Sequence, residues 1–379
     1  MEKISSMKVN ILNKTLTELE NGVLNLGQPK YRAEQVFKSI HKYSVSDFKG
    51  IKGIPENLKQ ILENHYYIDN LKLSDLKESP NDKTKKFLFE LPSGNKIETV
   101  LIFEKERKTI CVSTQAGCNV GCEFCATGKI GFRINLEASQ IISQIYEVIN
   151  ITGIFPTNIV YMGMGEPFLN YENVIKSLLI ITNKNGIGIP SGRITVSTVG
   201  FKDKLRKFTG DILKKENQSI KNIKLAFSLH STDNGFREKL IPTSKKNPLK
   251  DIYKELSYFY SKTKNKVTYE YIFFEGLNDK KEDINRLTRL SKMIPCNINI
   301  IPFHKIGFKL NEPLEKFNSK ESEKNIDGNK NSLSNKKLFE FIEELKSQKV
   351  VVNLRASSGV DIFAACGQLA AGRTDNIAR

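Results

Sequence analysis

Three closely spaced cysteines are the residues of this chain best suited to hold a metal. Cys118, Cys122 and Cys125 are spaced C-x₃-C-x₂-C within "CVSTQAGCNVGCEFC", residues 111–125. Thiolates at this spacing can bind three irons of a cubane iron–sulfur cluster. The fourth iron is then free to accept a small molecule, as in metal sites that keep an open position. Two alternatives remain: a zinc site completed by a distant Cys or His, and buried structural cysteines.

A glycine pair and a carboxylate follow the next apolar stretch, in "VYMGMGEP". Glycine lets the backbone come close to a ligand, and oriented backbone groups can hold an amino-acid moiety. The pattern indicates that Gly165 and Glu166 contact such a ligand, with Glu166 receiving its ammonium group. Later apolar stretches also end in polar residues: Ser197, His230, His304 and, after the last one, Cys366.

Apolar strands alternate with amphipathic helices after residue 110, which indicates a parallel sheet with crossover helices. Six or seven such units predict an α/β fold, a full or partial (β/α) barrel, with an open doubly wound sheet as the alternative. The working residues of a barrel lie at the carboxyl ends of its strands. We therefore expect the polar strand endings to share one mouth. The predicted strands are "TICVST", "TNIVYMG", "RITVST", "IKLAFSL", "KVTYEYIFF", "NINIIPF" and "VVVNLRA".

The chain divides into four predicted parts. Residues 8–72 are expected to form a small helical N-terminal domain, and 73–103 a β-hairpin around the turn "PSGN". The barrel takes residues 104–349, including a Lys- and Asn-rich insertion at about 316–336 that is typical of a flexible surface loop. Residues 350–379 carry the last strand and the loop of Cys366.

Composition narrows the class of protein. The chain has 379 residues, 39% of them hydrophobic, which is enough for a large core. It has neither an apolar run long enough to cross a membrane nor a secretory signal, so we expect a cytoplasmic protein without membrane contact. A net charge of +17 favours a polyanionic partner such as nucleic acid. The alternative is a general compositional bias toward Lys, Asn and Ile.

Five segments, taken in order, resemble the motifs of one family. "YRAEQVF", "CEFCATGKIGF", "YMGMGEP", "FSLHS" and "GVDIFAACGQL" are similar to those of the RlmN/Cfr family of RNA adenine methyltransferases, in the radical S-adenosylmethionine (SAM) superfamily. The resemblance covers nearly the whole chain apart from the insertion. It implies a partial (β/α) barrel of radical SAM type with a [4Fe-4S] cluster on Cys118, Cys122 and Cys125. The open iron of that cluster binds SAM, which is cleaved to give a carbon radical.

The resemblance also implies which residues contact SAM. Most of these residues lie at positions that match the family motifs, whereas His304 lies where the family often has Asn. The implied contacts are Gly165, Glu166, Ser197, Ser228, Leu229, His230 and His304.

Three more residues receive roles from the resemblance. Cys366 matches the cysteine that carries the methyl group as S-methylcysteine, and Cys111 matches the cysteine that releases the product by forming a transient disulfide with Cys366. Glu98, in "KIETV", matches the proton acceptor for the ring carbon. Judged from its own surroundings in the sequence, Glu98 is an exposed strand carboxylate. Cys296 matches no family position, and we expect it to be a small buried residue.

The function implied is methylation of C2 of an adenine in 23S rRNA and in tRNA, with two SAM per turnover. Pro167 favours C2 over C8, the carbon that Cfr-type enzymes methylate. The implied partners are these RNAs, contacted in part by the N-terminal domain, and an electron donor such as flavodoxin or ferredoxin. We expect a monomer. A non-catalytic iron–sulfur RNA-binding protein is the remaining alternative, although simple cluster binding needs neither Cys111 nor Cys366.

Overall fold

The computed structural model describes residues 8–318, 333–355 and 357–371. The insertion predicted at about 316–336 falls largely outside these ranges. The structure begins with a short strand, three helices and a second short strand: β1 (Val9–Asn10), α1 (Leu16–Asn25), α2 (Tyr31–His41), α3 (Glu56–His65) and β2 (Tyr66–Tyr67). A capping box of Thr15 and Glu18 starts α1. The predicted helical N-terminal region is therefore confirmed.

Four antiparallel strands follow, β3 (Lys72–Glu78), β4 (Lys85–Glu90), β5 (Lys96–Glu104) and β6 (Arg107–Cys111). The predicted hairpin around "PSGN" corresponds to β4 and β5. The strand before it, β3, was not expected from the sequence as a separate strand, because "KLSDLKE" is mostly exposed and lacks the buried face that gives a strand its apolar alternation.

The remaining elements alternate between strand and helix. They are β7 (Gln115–Ala116), α4 (Ala126–Lys129), β8 (Ile134–Asn135), α5 (Ala138–Thr152), β9 (Asn158–Tyr161), α6 (Tyr171–Ile181), β10 (Ile194–Thr198), α7 (Lys202–Leu213), β11 (Lys224–Ser228), α8 (Asn234–Leu240), α9 (Leu249–Thr263), β12 (Val267–Phe273), α10 (Lys281–Met293), β13 (Cys296–Pro302), α11 (Leu333–Ser347) and β14 (Val352–Leu354).

Ten of these strands form one sheet in the order β14-β13-β12-β11-β10-β9-β6-β5-β4-β3. From β6 to β14 all neighbours are parallel. The parallel strands are added in one direction without reversal, which is the winding of a barrel, whereas a doubly wound sheet reverses its order. The two end strands, β14 and β3, do not pair with each other, so the barrel is partial, as predicted. Strand β6 joins the parallel strands β9–β14, here called the arc, to strands β3–β5 and their turns (residues 72–104), here called the antiparallel extension.

A continuous apolar core connects the N-terminal helices to the sheet and its helices. It includes Leu19 of α1, Phe37 of α2, Ile141 of α5 and Leu225 of β11, all buried. A smaller apolar cluster surrounds the cysteine segment and contains Cys122, Phe124, Leu240 and Phe274. Of the helices that the structure describes, none is long and apolar enough to span a membrane.

Candidate active site

The three spaced cysteines lie on one tight loop, residues 117–125, here called the cysteine loop. It connects β7 to α4 at the carboxyl side of β6. Gly117 has φ of 74°, and a Cβ there would lie 1.8 Å from the carbonyl oxygen of Gly131. The amide of Cys118 donates to that same oxygen over 3.1 Å, and the amide of Glu123 donates to Leu240 over 2.9 Å. Only glycine fits at position 117, since any side chain would push the two backbone segments apart.

The three thiols are close enough to influence one another. Burial, opposed by an amide hydrogen bond at Val120 and supported by the nearby Cys125, raises the pKa of Cys118 to about 12. Burial also raises the pKa of Cys122 and of Cys125. Thiols in such an environment stay protonated until a metal displaces the proton. Within the described ranges no group of three or more His, Cys, Asp or Glu side chains is arranged to hold a metal ion.

The loop nevertheless fits an iron–sulfur cluster in its donors and in its shape. All three donors are sulfur, the ligand type of such clusters, and all three line a cavity of about 140 Å³, here called the cysteine-loop cavity. The first turn of α4 lies against the backbone of the loop. A Cβ on Gly128 would lie 2.9 Å from both the nitrogen and the oxygen of Cys122.

Most of the polar strand endings face the cysteine-loop cavity, whereas His304 faces a neighbouring one. Of the residues predicted to contact SAM, five line it together with the three cysteines: Gly165, Glu166, Ser197, Ser228 and His230. They come from the carboxyl ends of β9, β10 and β11, neighbouring parallel strands, which explains how positions far apart in sequence meet. Leu229 lies in the apolar core and does not line the cavity.

Glu166 is a buried carboxylate held by backbone amides. One oxygen accepts from the amide of Phe168 and the other from that of Val199, both over 2.9 Å. Burial raises the pKa of Glu166 to about 7, although these amide hydrogen bonds favour the ionised form. Gly165, with φ of 96°, makes this geometry possible, because a Cβ there would lie 2.5 Å from that of Gln115. The carboxylate thus ties the end of β9 to the end of β10.

His230 is neutral and its ring is fixed on two sides. Its Nδ1 accepts a hydrogen bond of 3.1 Å from the amide of Ile272, and its ring packs edge-on against Phe124, with centroids 4.6 Å apart. Burial, and secondarily the charge of Arg237, lower its pKa to about 3. With Nδ1 accepting, the proton of the neutral ring lies on Nε2, which can donate to a ligand.

A second cavity, of about 80 Å³, adjoins the first and is here called the two-thiol cavity. It is lined by Cys111 and Cys366, which are 255 positions apart in sequence, and by His304. Cys125 and Cys366 line both cavities, so the two share a wall. Cys111 is buried, Cys366 is exposed, and both are free thiols. Burial, together with the proximity of Cys366, raises the pKa of Cys111 to about 12.

His304 lies at the end of β13 in the wall of the two-thiol cavity. Its Nε2 is hydrogen-bonded to the hydroxyl of Ser357, and its buried Nδ1 has no hydrogen-bond partner among the described residues. Burial lowers its pKa to about 4. An unpaired buried nitrogen costs free energy unless a ligand or water meets it, so the ring has capacity for one more hydrogen bond.

Glu98 is buried, with 4% of its surface exposed. The interpretation as an exposed strand carboxylate is therefore wrong, because the residues after Cys366 cover this part of β5. One carboxylate oxygen accepts from the amide of Ala370 over 2.7 Å, and the other lies 3.2 Å from Nζ of Lys86. Glu98 lines neither cavity, and its role as proton acceptor stays a prediction.

Comparison with known proteins agrees with this geometry. Residues 9–68 match the model of the ribosomal RNA large subunit methyltransferase N-terminal domain, and residues 112–288 match that of the radical SAM superfamily. The chain is 38% identical over 365 residues to the probable dual-specificity RNA methyltransferase RlmN of Dictyoglomus turgidum, covering 96% of this chain and 97% of that protein. The chain belongs to the RlmN family of radical SAM RNA methyltransferases.

Two further relatives extend the comparison. The RlmN-family protein of Thermosipho melanesiensis, also called a probable dual-specificity RNA methyltransferase, is 38% identical over 360 residues, 95% of this chain and 98% of that protein. The crystal structure of a radical SAM methyltransferase from Sphaerobacter thermophilus superposes with a TM-score of 0.80 at 31% identity. It covers 96% of this chain and 100% of that one. Membership of the radical SAM superfamily implies a [4Fe-4S] cluster and SAM.

The sequence did not single out Arg355, which lies in the RlmN-type site, or Lys86, which lies beside it. Arg355, after β14, lines both cavities, and its Nη1 lies 3.4 Å from Glu270 Oε2. The negative charge of a Cys366 thiolate, and to a smaller extent that of Glu270, raises the pKa of Arg355, although burial opposes this. The second residue, Lys86 of β4, contacts Glu98. Arg355 ends an apolar strand, as the predicted residues do, and this position was its one signal in the sequence. Nothing in the sequence distinguishes Lys86 from the many other lysines of the chain.

Proposed function

We propose that this RlmN-family protein methylates C2 of an adenine in 23S rRNA and in tRNA, using two SAM per turnover and an S-methyl intermediate on Cys366. The observation that carries the proposal is the shared wall of the two cavities. Cys366 lines both the cavity of the three spaced cysteines and the cavity of Cys111. One thiol can therefore meet the cofactor on one side and the second thiol on the other.

The chain's own residues divide the work between the two cavities. Cys118, Cys122 and Cys125 are proposed to hold the cluster, which with SAM supplies the methyl group and the carbon radical. The strand ends orient SAM, and Glu166 is proposed to receive its ammonium group. The remaining proposed SAM contacts that line the two cavities are Gly165, Ser197, Ser228, His230 and His304, whereas Leu229 lines neither of them.

Product release is assigned to the two thiols. Once Cys366 is joined through its methyl carbon to the adenine ring, Glu98 is proposed to accept the proton of the ring carbon. The thiolate of Cys111 then attacks the sulfur of Cys366. A sulfur–sulfur bond forms, the bond from Cys366 sulfur to the methyl carbon breaks, and its electron pair leaves with the carbon. The carbon takes up a proton, such as the one that Cys111 gave up on forming its thiolate, and becomes the methyl group of the adenine. The enzyme is left with a Cys111–Cys366 disulfide.

The substrates and partners are proposed on charge and family. A net charge of +17 suits RNA, and the family's N-terminal domain model covers residues 9–68. We propose that this region contacts 23S rRNA or tRNA, that flavodoxin or ferredoxin supplies the electron, and that the protein works as a cytoplasmic monomer. The target base must leave its stack before the thiol of Cys366, in the wall between the two cavities, can reach it.

The test is to incubate the reconstituted protein with SAM, a reductant and ribosomal RNA, and to map the methylated carbon by mass spectrometry of RNA digests. We expect the wild type to give 2-methyladenine and 5′-deoxyadenosine. Cys366→Ala should give no methylated adenine. Pro167 is the residue that favours C2. A product methylated only at C8 contradicts the proposed carbon, and absence of 5′-deoxyadenosine contradicts catalysis and favours an RNA-binding protein.

A further inference from the structure

The segment that carries Cys366, residues 359–371, is here called the Cys366 loop. We propose that Lys86 is a positioning residue that fastens both flanks of this loop to the antiparallel extension. It thereby holds Cys366 at the wall between the two cavities. The assignment of chemistry to Cys366 rests on the proposed function, whereas the fastening itself rests on the contacts of the described residues.

The flank before Cys366 is held by the turn between β3 and β4 and by the start of β4. The amide of Gly359 donates to Asp82 Oδ2 over 2.8 Å. The hydroxyl of Ser79 donates to Asp361 Oδ2 over 3.0 Å. Nζ of Lys86 donates to the carbonyl oxygen of Phe363 over 3.1 Å. Phe363 itself has φ of 54°, a conformation that non-glycine residues keep only where neighbours enforce it.

The flank after Cys366 is held through Glu98. Its Oε2 accepts from the amide of Ala370 over 2.7 Å, and its Oε1 lies 3.2 Å from Nζ of Lys86. Lys86 therefore touches one flank directly and the other through a carboxylate. Among the contacts described between the antiparallel extension and residues 359–371, this ion pair links both flanks.

Burial makes the pair effective as a fastening. The side chains of Lys86 and Glu98 keep only 11% and 5% of their surface exposed. Inside a protein, removal of one charged partner leaves the other unpaired and poorly solvated, so the surrounding structure must move or take in water. Loss of Lys86 leaves Glu98 in that state and also frees the carbonyl of Phe363. The loop would then open locally without unfolding the sheet.

The chemistry assigned to Cys366 explains why such a fastening matters. Its sulfur must lie close to the cofactor for methylation, and a misplacement of about 1 Å can cost two orders of magnitude in rate. Lys86 touches neither cavity. It does pair with Glu98, but the proton step proposed for Glu98 comes after Cys366 has been methylated, so the rate of that methylation reports on the position of the thiol. Its loss should lower the maximal rate of Cys366 methylation and leave the KM for SAM unchanged.

The experiment compares Lys86→Gln with Lys85→Gln in cluster-loaded protein. Lys85 is the preceding residue of β4 and pairs with Glu78, away from the Cys366 loop. The first readout is alkylation of Cys366 by iodoacetamide, measured by peptide mass spectrometry, which is selective because Cys366 is the exposed cysteine. The second is amide hydrogen exchange of residues 359–371. The third is the rate of Cys366 methylation against SAM concentration.

We expect Lys86→Gln to raise loop exchange about tenfold, as loss of a charged hydrogen bond predicts. Cys366 alkylation should rise by a smaller factor, because that thiol is already exposed, and methylation at saturating SAM should be slower. Lys85→Gln should match the wild type, and Lys86→Arg should restore all three readouts.

Ser79→Ala leaves the buried pair intact and should give a smaller rise in amide hydrogen exchange near 359–363. This variant tests the fastening if Lys86→Gln does not fold. Wild-type exchange and alkylation in Lys86→Gln overturn the proposal. A wild type that does not methylate Cys366 overturns the proposed function alone, since the first two readouts do not depend on it.

Discussion

The amide of Ala126 donates a hydrogen bond of 2.7 Å to the carbonyl oxygen of Gly367. Ala126 directly follows Cys125, and Gly367 directly follows Cys366. The hydroxyl of Thr127 adds a second bond, of 2.7 Å, to the carbonyl of Leu369. The cysteine loop and the Cys366 loop are therefore joined backbone to backbone, and an event that orders one of them also orders the other.

Removal of the metal should loosen the Cys366 loop. A cluster fixes the cysteine loop, and the bonds from Ala126 and Thr127 pass that order to residues 367–369. We expect chelation of iron from the reconstituted protein to raise amide hydrogen exchange at 367–371, with no change in α2. The measurement is exchange followed by mass spectrometry. Equal exchange at 367–371 with and without the cluster would show that the two loops are not coupled.

The proposed cluster ligands can be separated from an ordinary buried cysteine. We expect Cys125→Ala to lose most of its bound iron and sulfide, because a cluster bound by two thiolates is open to solvent. Cys296 of β13 is buried and Cys125 is half-buried, so Cys296 serves as the control for loss of a thiol that lies away from the cysteine loop. Cys296→Ala should keep its iron at the wild-type level and lose only some stability. Iron and sulfide analysis of both proteins tests this. A full complement of iron in Cys125→Ala contradicts the assignment of Cys125 as a cluster ligand.

Cys111 should be needed to free the product. We expect Cys111→Ala to purify with RNA covalently attached at Cys366, because the attack that releases the adenine is missing. The double variant with Cys111→Ala and Cys366→Ala should carry no attached RNA. The attachment is measured by mass spectrometry after nuclease and protease digestion. Recovery of Cys111→Ala free of RNA, from cells in which the wild type is active, would count against the resolving role.

Gly128 should be intolerant of a side chain for a reason that concerns the cysteine loop. A Cβ there would lie 2.9 Å from two backbone atoms of Cys122, so Gly128→Ala must displace the loop. We expect it to lower iron loading several-fold. Gly210 of α7 has open space around a Cβ, so Gly210→Ala should load iron normally and gain up to about 1 kcal/mol in stability. Normal loading of both variants would refute the prediction.

His41 should make the protein sensitive to acid. Its Nδ1 lies 2.7 Å from the hydroxyl of Tyr146, and burial lowers its pKa from 6.5 to about 3. Between these two values the unfolded chain binds a proton that the native protein does not, so stability falls as pH falls. From pH 7 to pH 5 this costs about 2 kcal/mol. Urea denaturation at both pH values should show His41→Gln losing that much less than the wild type. His230 and His304 titrate in both proteins, so an equal loss contradicts the prediction.

The sequence predicted the parts of the site that follow a repeating pattern. Parallel strands end at one edge of a sheet, so Ser197, Ser228 and His230 could be placed beside the cysteines from their positions after apolar stretches. The C-x₃-C-x₂-C spacing predicted a shared loop. Both follow from local periodicity, which a single chain displays.

Contacts between distant segments could not be predicted in this way. The bond between Glu98 and Ala370 joins residues 272 positions apart, and no spacing rule connects them. The residues after Cys366 cover β5, so Glu98, which looks exposed from the sequence alone, is buried in the structure. Lys86 is one of many lysines in a strongly basic chain, and its role emerged only once Phe363 and Glu98 were seen on either side of it.

The separation between Glu98 and Ala370 also has a consequence in time. A ribosome adds about 5 to 20 residues per second, so Ala370 is synthesised roughly 14 to 54 s after Glu98. Local helices and hairpins form within microseconds. The antiparallel extension and most of the arc can therefore fold while the residues that carry Cys366 are still untranslated. The loop then docks last, onto a surface that is already in place.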